Sequence, residues 1–159
     1  MKERLAQSPL FADLEPGAVE ALAAVFVHRR AAAGEVLVRE GEEGDTMFVL
    51  RSGRVRVEKR TPYADTYTVT LLDGESGGFF GELALLDREF RSATVVAETD
   101  CELLVVGREG FLAFGDRHPV AGLLLTRRIA HHLAERLRRT NRDMVTLFTA
   151  LVQEVGERL

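Results

Sequence analysis

The sequence lacks most of what disulfide scaffolds and membrane spans require. Its 159 residues include one cysteine, Cys101, so no intrachain disulfide can form. Cys101 begins a run typical of a strand, where a buried structural thiol is expected rather than a nucleophile. The lone thiol favours a reducing, cytoplasmic setting. No apolar run approaches the ~20 residues of a membrane span, and the N-terminus leads into no signal-like stretch, so we expect no membrane partner.

Charge and histidine content exclude further classes. A net charge of −4 gives no overall attraction to nucleic acid. Of the four histidines, the adjacent His131 and His132 point to different parts of a helix, so we expect no metal site. The sequence contains no nucleophile elbow, no phosphate-binding P-loop and no paired-carboxylate motif. We therefore expect no catalytic residues and no enzyme activity.

The hydrophobic pattern predicts an α+β chain with one domain over residues 1–159. Residues 1–30 have helical spacing, with His28 at a solvated helix end. Residues 31–107 contain short strand-like runs separated by glycines, which indicates an antiparallel sandwich or β-roll. Residues 108–159 are helical again, with one long helix, or two with a slight break, after His118-Pro119.

The most informative stretch covers residues 80–95. Gly81 permits a close backbone turn, and the following Leu83-Ala84-Leu85-Leu86 is good helix material whose N–H groups attract anions. Arg91 offers a forked donor for a phosphate, and Glu82 offers acceptors suited to hydroxyls. Together they predict a pocket for a ligand that carries both a phosphate and a sugar hydroxyl. The alternative is a structural Glu82–Arg91 ion pair beside a helix.

This stretch resembles the phosphate-binding cassette of cyclic-nucleotide-binding domains, in which F-G-E-L-A-L is followed by R-[SAT]-A-T-V. The family includes catabolite-activator-type regulators and the regulatory subunit of cAMP-dependent protein kinase. The resemblance implies a jelly roll with helices at both ends. It also implies that Glu82 binds the ribose 2′-hydroxyl and that Arg91 binds the cyclic phosphate, with backbone amides near Ala84 and Ser92. The remaining cassette positions implied in the site are Gly81, Leu83 and Ala93.

The resemblance extends to the base. Val57 and Leu71 fall where the family lines the base pocket with apolar side chains. Thr140-Asn141 falls where a Thr-Ser pair contacts adenine across a dimer, although an exposed polar patch is the alternative. Ser92 occurs in bacterial cAMP binders and also resembles the threonine of cGMP-responsive proteins. The resemblance therefore implies cAMP as ligand, with cGMP possible and a cyclic dinucleotide as a third case.

A second segment, Gly41 to Gly53, resembles the family's G-x-x-G-D segment that ends in S-G. We interpret its glycines as turn residues that set the fold rather than bind ligand.

The long helix carries two apolar seams with three–four spacing, which favours a parallel homodimer through this helix. The alternative is that its end folds back on its own domain. The seams contain Leu133, Leu137, Met144, Leu147 and Leu151, and Val145, Phe148, Val152, Val155 and Leu159. The arginines along the helix lack interleaved aromatics, so a solvated face is expected. The DNA-binding domain that follows this helix in catabolite-activator-type regulators is absent from these residues, so we expect no direct DNA binding.

These features predict a sensor. A cyclic nucleotide would bind between the roll and the long helix and shift the helix, which would then present an altered surface to an effector protein that the sequence does not identify. The competing hypothesis is a ligand-independent adaptor or dimerisation module that retains the fold.

Overall fold

The β-roll consists of two four-stranded antiparallel sheets. The computed structural model describes residues 8–63 and 65–157, with side chains described up to residue 155. One sheet has the strand order β1-β8-β3-β6 and the other has the order β2-β7-β4-β5. The strands are β1 Val27–Ala31, β2 Val36–Val38, β3 Thr46–Ser52, β4 Arg54–Arg60, β5 Thr66–Asp73, β6 Phe79–Phe80, β7 Thr94–Ala97 and β8 Cys101–Gly107. The roll predicted from the strand spacing is confirmed.

The core lies between the two sheets and draws on both of them. Phe48 of β3 stacks on Phe80 of β6, with ring centroids 4.9 Å apart. Val55 and Val57 of β4 enter the same cluster from the other sheet, and Cys101 of β8 joins it from the sheet that contains β3. Burial raises the pKa of the Cys101 thiol, which supports its interpretation as a structural thiol.

Helices flank the roll in the chain order that the sequence predicts. A 3-10 turn, Pro9–Phe11, precedes α1 Pro16–Val25, and the short α2 Leu83–Leu86 interrupts the strands. After β8 come α3 Arg108–Arg117 and the long α4 Pro119–Glu157. α1 and α4 both begin with proline, which suits the first turn because its N–H groups have no partner within the helix. In the described residues, no helix combines the length and the apolar character that crossing a bilayer requires.

The predicted boundary between the N-terminal helices and the roll is wrong. Residues 27–31 form β1 instead of a helix end, and His28 lies opposite Leu104 of β8. The strand was missed because its Val-His-Arg-Arg-Ala sequence is mostly exposed and polar, so its pairing with β8 decides its conformation. The part of the predicted helix at residues 1–7 lies outside the described residues.

The chain divides into two compact units, Met1–Leu123 and Leu124–Leu159. The first contains both sheets and α1 to α3, and the second contains most of α4. The long helix is continuous from Pro119 to Glu157, so the predicted alternative of two helices with a break is not observed. Leu159, which the sequence assigns to one apolar seam, lies outside the described residues.

The core cluster makes a direct prediction about stability. Leu103 is 0% exposed, and we expect Leu103→Ala to lower the free energy of unfolding by about 2–5 kcal/mol because the removed atoms leave a cavity. Leu112→Ala is the matched control: its side chain is 48% exposed, so the loss should be about 0.5 kcal/mol. Denaturant unfolding of both variants measures the difference, and equal losses would contradict this description of the core.

Candidate functional site

The cassette turns sharply between β6 and α2. Gly81 has a φ of 75°, which L side chains rarely adopt. A Cβ at Gly81 would lie 2.8 Å from the carbonyl oxygen of Thr46, so the turn also requires a residue without a side chain. Glu82 follows at the start of α2 and is 1% exposed. The turn therefore brings a buried carboxylate and a short helix against β3.

Arg91 lies across this turn and is fixed by Thr46. Its Nη1 donates to the Thr46 carbonyl at 2.8 Å, and its Nη2 donates to Thr46 Oγ1 at 2.9 Å. A longer bond of 3.4 Å joins Nη1 to the Gly81 carbonyl. Three contacts on the two terminal nitrogens determine the plane of the guanidinium, which is what forked recognition of a phosphate requires.

The electrostatic environment of Arg91 contains opposing effects. Burial lowers the pKa of the Arg91 guanidinium, while the carboxylates of Asp45 and Glu82 act in the opposite direction. Arginine nevertheless stays protonated at neutral pH because its ordinary pKa is so high. A half-buried cation interacts more strongly with an anion than a fully solvated one, so the site favours a negatively charged ligand group.

The glycine segment before β3 contacts the site and does more than set the fold. The Gly41 N–H donates to the Arg91 carbonyl at 2.9 Å, and the Arg91 N–H donates to the Glu42 carbonyl at 2.8 Å. A Cβ at Gly44 would lie 2.6 Å from Arg91 Cζ. Gly44 and Thr46 are thus positioning residues that sequence reasoning missed. The available signal was the glycine-rich segment that leads into β3, the strand that pairs with β6 at the start of the cassette.

The backbone amides near Ala84 and Ser92 differ in their surroundings. The Ala84 N–H donates to the Gly81 carbonyl at 3.1 Å. The carbonyl of the Arg91–Ser92 peptide accepts from Gly41, so in this trans peptide the Ser92 N–H points away from Gly41. Ser92 is exposed, Leu83 is half-buried, and Ala93 packs against the core.

The structure does not bring Val57 and Leu71 together. Val57 belongs to the core and lies opposite Thr70, whereas Leu71 lies opposite Arg56 and is 51% exposed. The neighbouring Leu72 packs against the core, so alternation along β5 directs Leu71 to the other face. The prediction that both side chains line one pocket is wrong, because it depended on chain position rather than on strand register.

Thr140 and Asn141 lie on α4 and are exposed. They belong to the second compact unit, so their role in the site stays a prediction. In the described part of the chain, no group of three or more histidine, cysteine, aspartate or glutamate side chains could bind a metal ion.

The roll thus carries a half-buried arginine, fixed by Thr46 and Gly81, that could bind an anionic group of a small ligand. Residues 28–118 match the model of the cyclic nucleotide-binding domain family, and the chain belongs to this family.

Known relatives include bacterial regulators. The cyclic AMP receptor protein of Thermus thermophilus is 35% identical over 136 residues, which cover 86% of this chain and 58% of that protein. A CRP-like cAMP-activated global transcriptional regulator of Mycobacterium tuberculosis is 31% identical over 161 residues, covering 100% of this chain and 69% of that protein. The crystal structure of the Thermus thermophilus catabolite activator protein superposes with a TM-score of 0.77 at 35% identity, over 88% of this chain and 63% of that one.

Gly44→Ala tests the position of Arg91. The added methyl group would overlap the guanidinium, so we expect Arg91 to lose its bonds to Thr46 while the roll stays folded. The Arg91 Nε–H resonance in a ¹H–¹⁵N spectrum should then shift. Gly107→Ala is the control because a Cβ there meets nothing within 4 Å. An unshifted Arg91 signal in Gly44→Ala would contradict the close packing of these two residues.

Proposed function

We propose that this chain is the cyclic-nucleotide sensor of a regulatory protein, with cAMP preferred and cGMP possible. The observation that carries the proposal is the fixed guanidinium of Arg91, which lies beside the turn that carries Glu82. The names of both curated relatives include cyclic AMP, which supports the choice of base. As a regulator, the chain binds its ligand without converting it and has no catalytic residue.

Arg91 and Glu82 bind different parts of the nucleotide, the phosphate and the ribose respectively. The Arg91 Nε–H, the Nη2 N–H that Thr46 does not use and the Ser92 amide take the cyclic phosphate, because forked donors and N–H groups suit its oxygens. Glu82 accepts from the ribose 2′-hydroxyl, because an ionised carboxylate provides acceptors and no donor. The structural alternative, a Glu82–Arg91 ion pair only, explains neither the three bonds at Thr46 and Gly81 nor the glycine at position 44.

The base end of the ligand is proposed to contact Val57, and Thr140 and Asn141 are proposed to contact adenine across the dimer. Ser92 directly follows Arg91 and is exposed, so its hydroxyl can also contact a guanine amino group. Because of this possible contact with guanine, cGMP is retained as a candidate ligand. A cyclic dinucleotide remains a third ligand class to be tested.

The output is proposed to pass through α4. Several large apolar side chains on this helix are more than half exposed and recur every three to four residues, which favours a second helix as partner. They are Leu137, Met144, Val145, Leu147, Phe148, Leu151, Val152 and Val155. We propose that the chain forms a homodimer through α4 in the cytoplasm. On ligand binding, α4 would shift and present a surface to an effector protein. The described residues are not proposed to contact DNA directly.

Isothermal titration with cAMP and cGMP tests ligand binding. We expect micromolar or tighter affinity in the wild type and a loss of about 10–100-fold in Arg91→Gln, because charge-assisted hydrogen bonds contribute about 1.5–3 kcal/mol. Arg88→Gln is the control, since it removes the same charge from an exposed position of the same cassette. Equal affinities in the two variants would rule out Arg91 as the phosphate ligand. No binding of either nucleotide would favour a cyclic dinucleotide or the ligand-independent adaptor.

Sedimentation equilibrium tests the dimer. Phe148 is 67% exposed, and Phe148→Glu would place a carboxylate in the apolar seam, so we expect the dimer dissociation constant to rise by about tenfold or more. Gln153→Glu adds a carboxylate to a polar, exposed position of the same helix and should leave dimerisation unchanged. A monomeric wild type, or a dimer that tolerates both changes, would contradict pairing through this helix.

A further inference from the structure

We propose that Lys59, supported by Glu40, is a positioning residue for the phosphate side of the site, acting through the carbonyl group of Ser92. The inference rests on the proposed function. It adds Lys59, a residue that lies outside the cassette and is separate from its charged residues Glu82 and Arg91. Lys59 is at the end of β4, far from Ser92 in the chain and adjacent to it in space.

The ammonium group of Lys59 joins three segments. Its Nζ donates to the Ser92 carbonyl at 2.5 Å and to Glu40 Oε1 at 2.6 Å. Glu40 is itself fixed, because its Oε2 accepts from the backbone N–H of Arg60 at 3.1 Å and its own N–H donates to Thr94 Oγ1 at 3.0 Å. The group therefore connects β4, the residue before the glycine segment and the end of the cassette.

Lys59 acts where the backbone ladder between β4 and β7 stops. The last paired residues in that ladder are Glu58 and Thr94. Beyond that point Ser92 has diverged from the sheet to complete the cassette, and the Lys59 side chain supplies the contact that a backbone N–H would otherwise make. A lysine suits this position because its ammonium has three donors and can serve both the Glu40 carboxylate and the Ser92 carbonyl.

The consequence for the site follows from peptide geometry. The carbonyl before the Ser92 N–H is contacted by Gly41, and the carbonyl after it is contacted by Lys59. Because each trans peptide is planar, these two contacts fix the planes on both sides of Ser92. Gly41 thereby holds the plane that carries the Ser92 N–H, and Lys59 holds the next plane, which limits rotation about the Ser92 backbone and keeps that N–H in place.

The Lys59–Glu40 pair is too exposed to be important for stability on its own. The side chains are 39% and 28% exposed, and pairs of this kind contribute about 0–1 kcal/mol to folding. The hydrogen bond from Lys59 lowers the pKa of the Glu40 carboxyl, so the acceptor is ionised at neutral pH. An effect on ligand affinity that exceeds the effect on stability is what distinguishes a positioning role.

The test uses the full chain and titrates cAMP and cGMP into Lys59→Met, which keeps an unbranched side chain and removes the ammonium. We expect the dissociation constant to rise by about 5–20-fold for both nucleotides alike, because the cyclic phosphate is common to them, with a small change in melting temperature. Lys59→Arg, which restores a cationic donor, should recover part of the affinity. Arg54→Met removes a charge from an exposed residue at the other end of β4 and should change the affinity less than twofold.

The outcomes separate this inference from the proposed function. A wild type that binds neither nucleotide overturns both. A wild type that binds, with Lys59→Met within twofold of it, overturns the inference alone. Unequal losses for cAMP and cGMP, or an equal loss in Arg54→Met, also overturn it, since these would indicate a base contact or a general charge effect. If Lys59→Met does not fold, Lys59→Gln is measured against the same expectations.

Discussion

The site depends on the bonds between the guanidinium of Arg91 and Thr46. A half-buried cation is stable only if its donors are used, and here the carbonyl and the hydroxyl of one residue at the start of β3 accept from both terminal nitrogens. Those bonds require the close approach at Gly44 and the left-handed turn at Gly81. One strand and two glycines therefore determine the direction in which a permanent positive charge faces a ligand.

The roll provides the rigidity that this arrangement needs. Thr46 is the first residue of β3, and the next four residues of this strand, Met47 to Leu50, are buried. The cassette leaves the sheet after β6 and returns at β7, and its return is fixed by Gly41, Glu42 and, through its side chain, Lys59. The proposed ligand, contacting Arg91 and Ser92, would act on a loop whose two ends are anchored in different sheets. Such a loop could transmit a ligand contact as a shift of whole segments, which the proposed sensor role requires.

Sequence reasoning reached the roll, the cassette and the long helix because each has a local signal: strand spacing, a turn glycine with a carboxylate and an arginine, and apolar seams. It did not reach what pairing decides. β1 is polar and becomes a strand only against β8, and Leu71 faces away from Val57 because of its register on β5. Gly44, Thr46 and Lys59 contact cassette residues that are distant in the chain, so only the glycine-rich segment around Gly44 gave a local signal, and Lys59 had none.

The most direct test of phosphate binding by Arg91 and Ser92 is an NMR titration of the full chain with cAMP, following the Arg91 Nε–H and Ser92 amide resonances together. Both resonances are expected to shift with one saturable dissociation constant, since one phosphate is proposed to contact both groups. Saturable binding that leaves the Arg91 signal unmoved would show that the nucleotide sits elsewhere. It would contradict the proposed role of the Arg91 guanidinium in binding the phosphate.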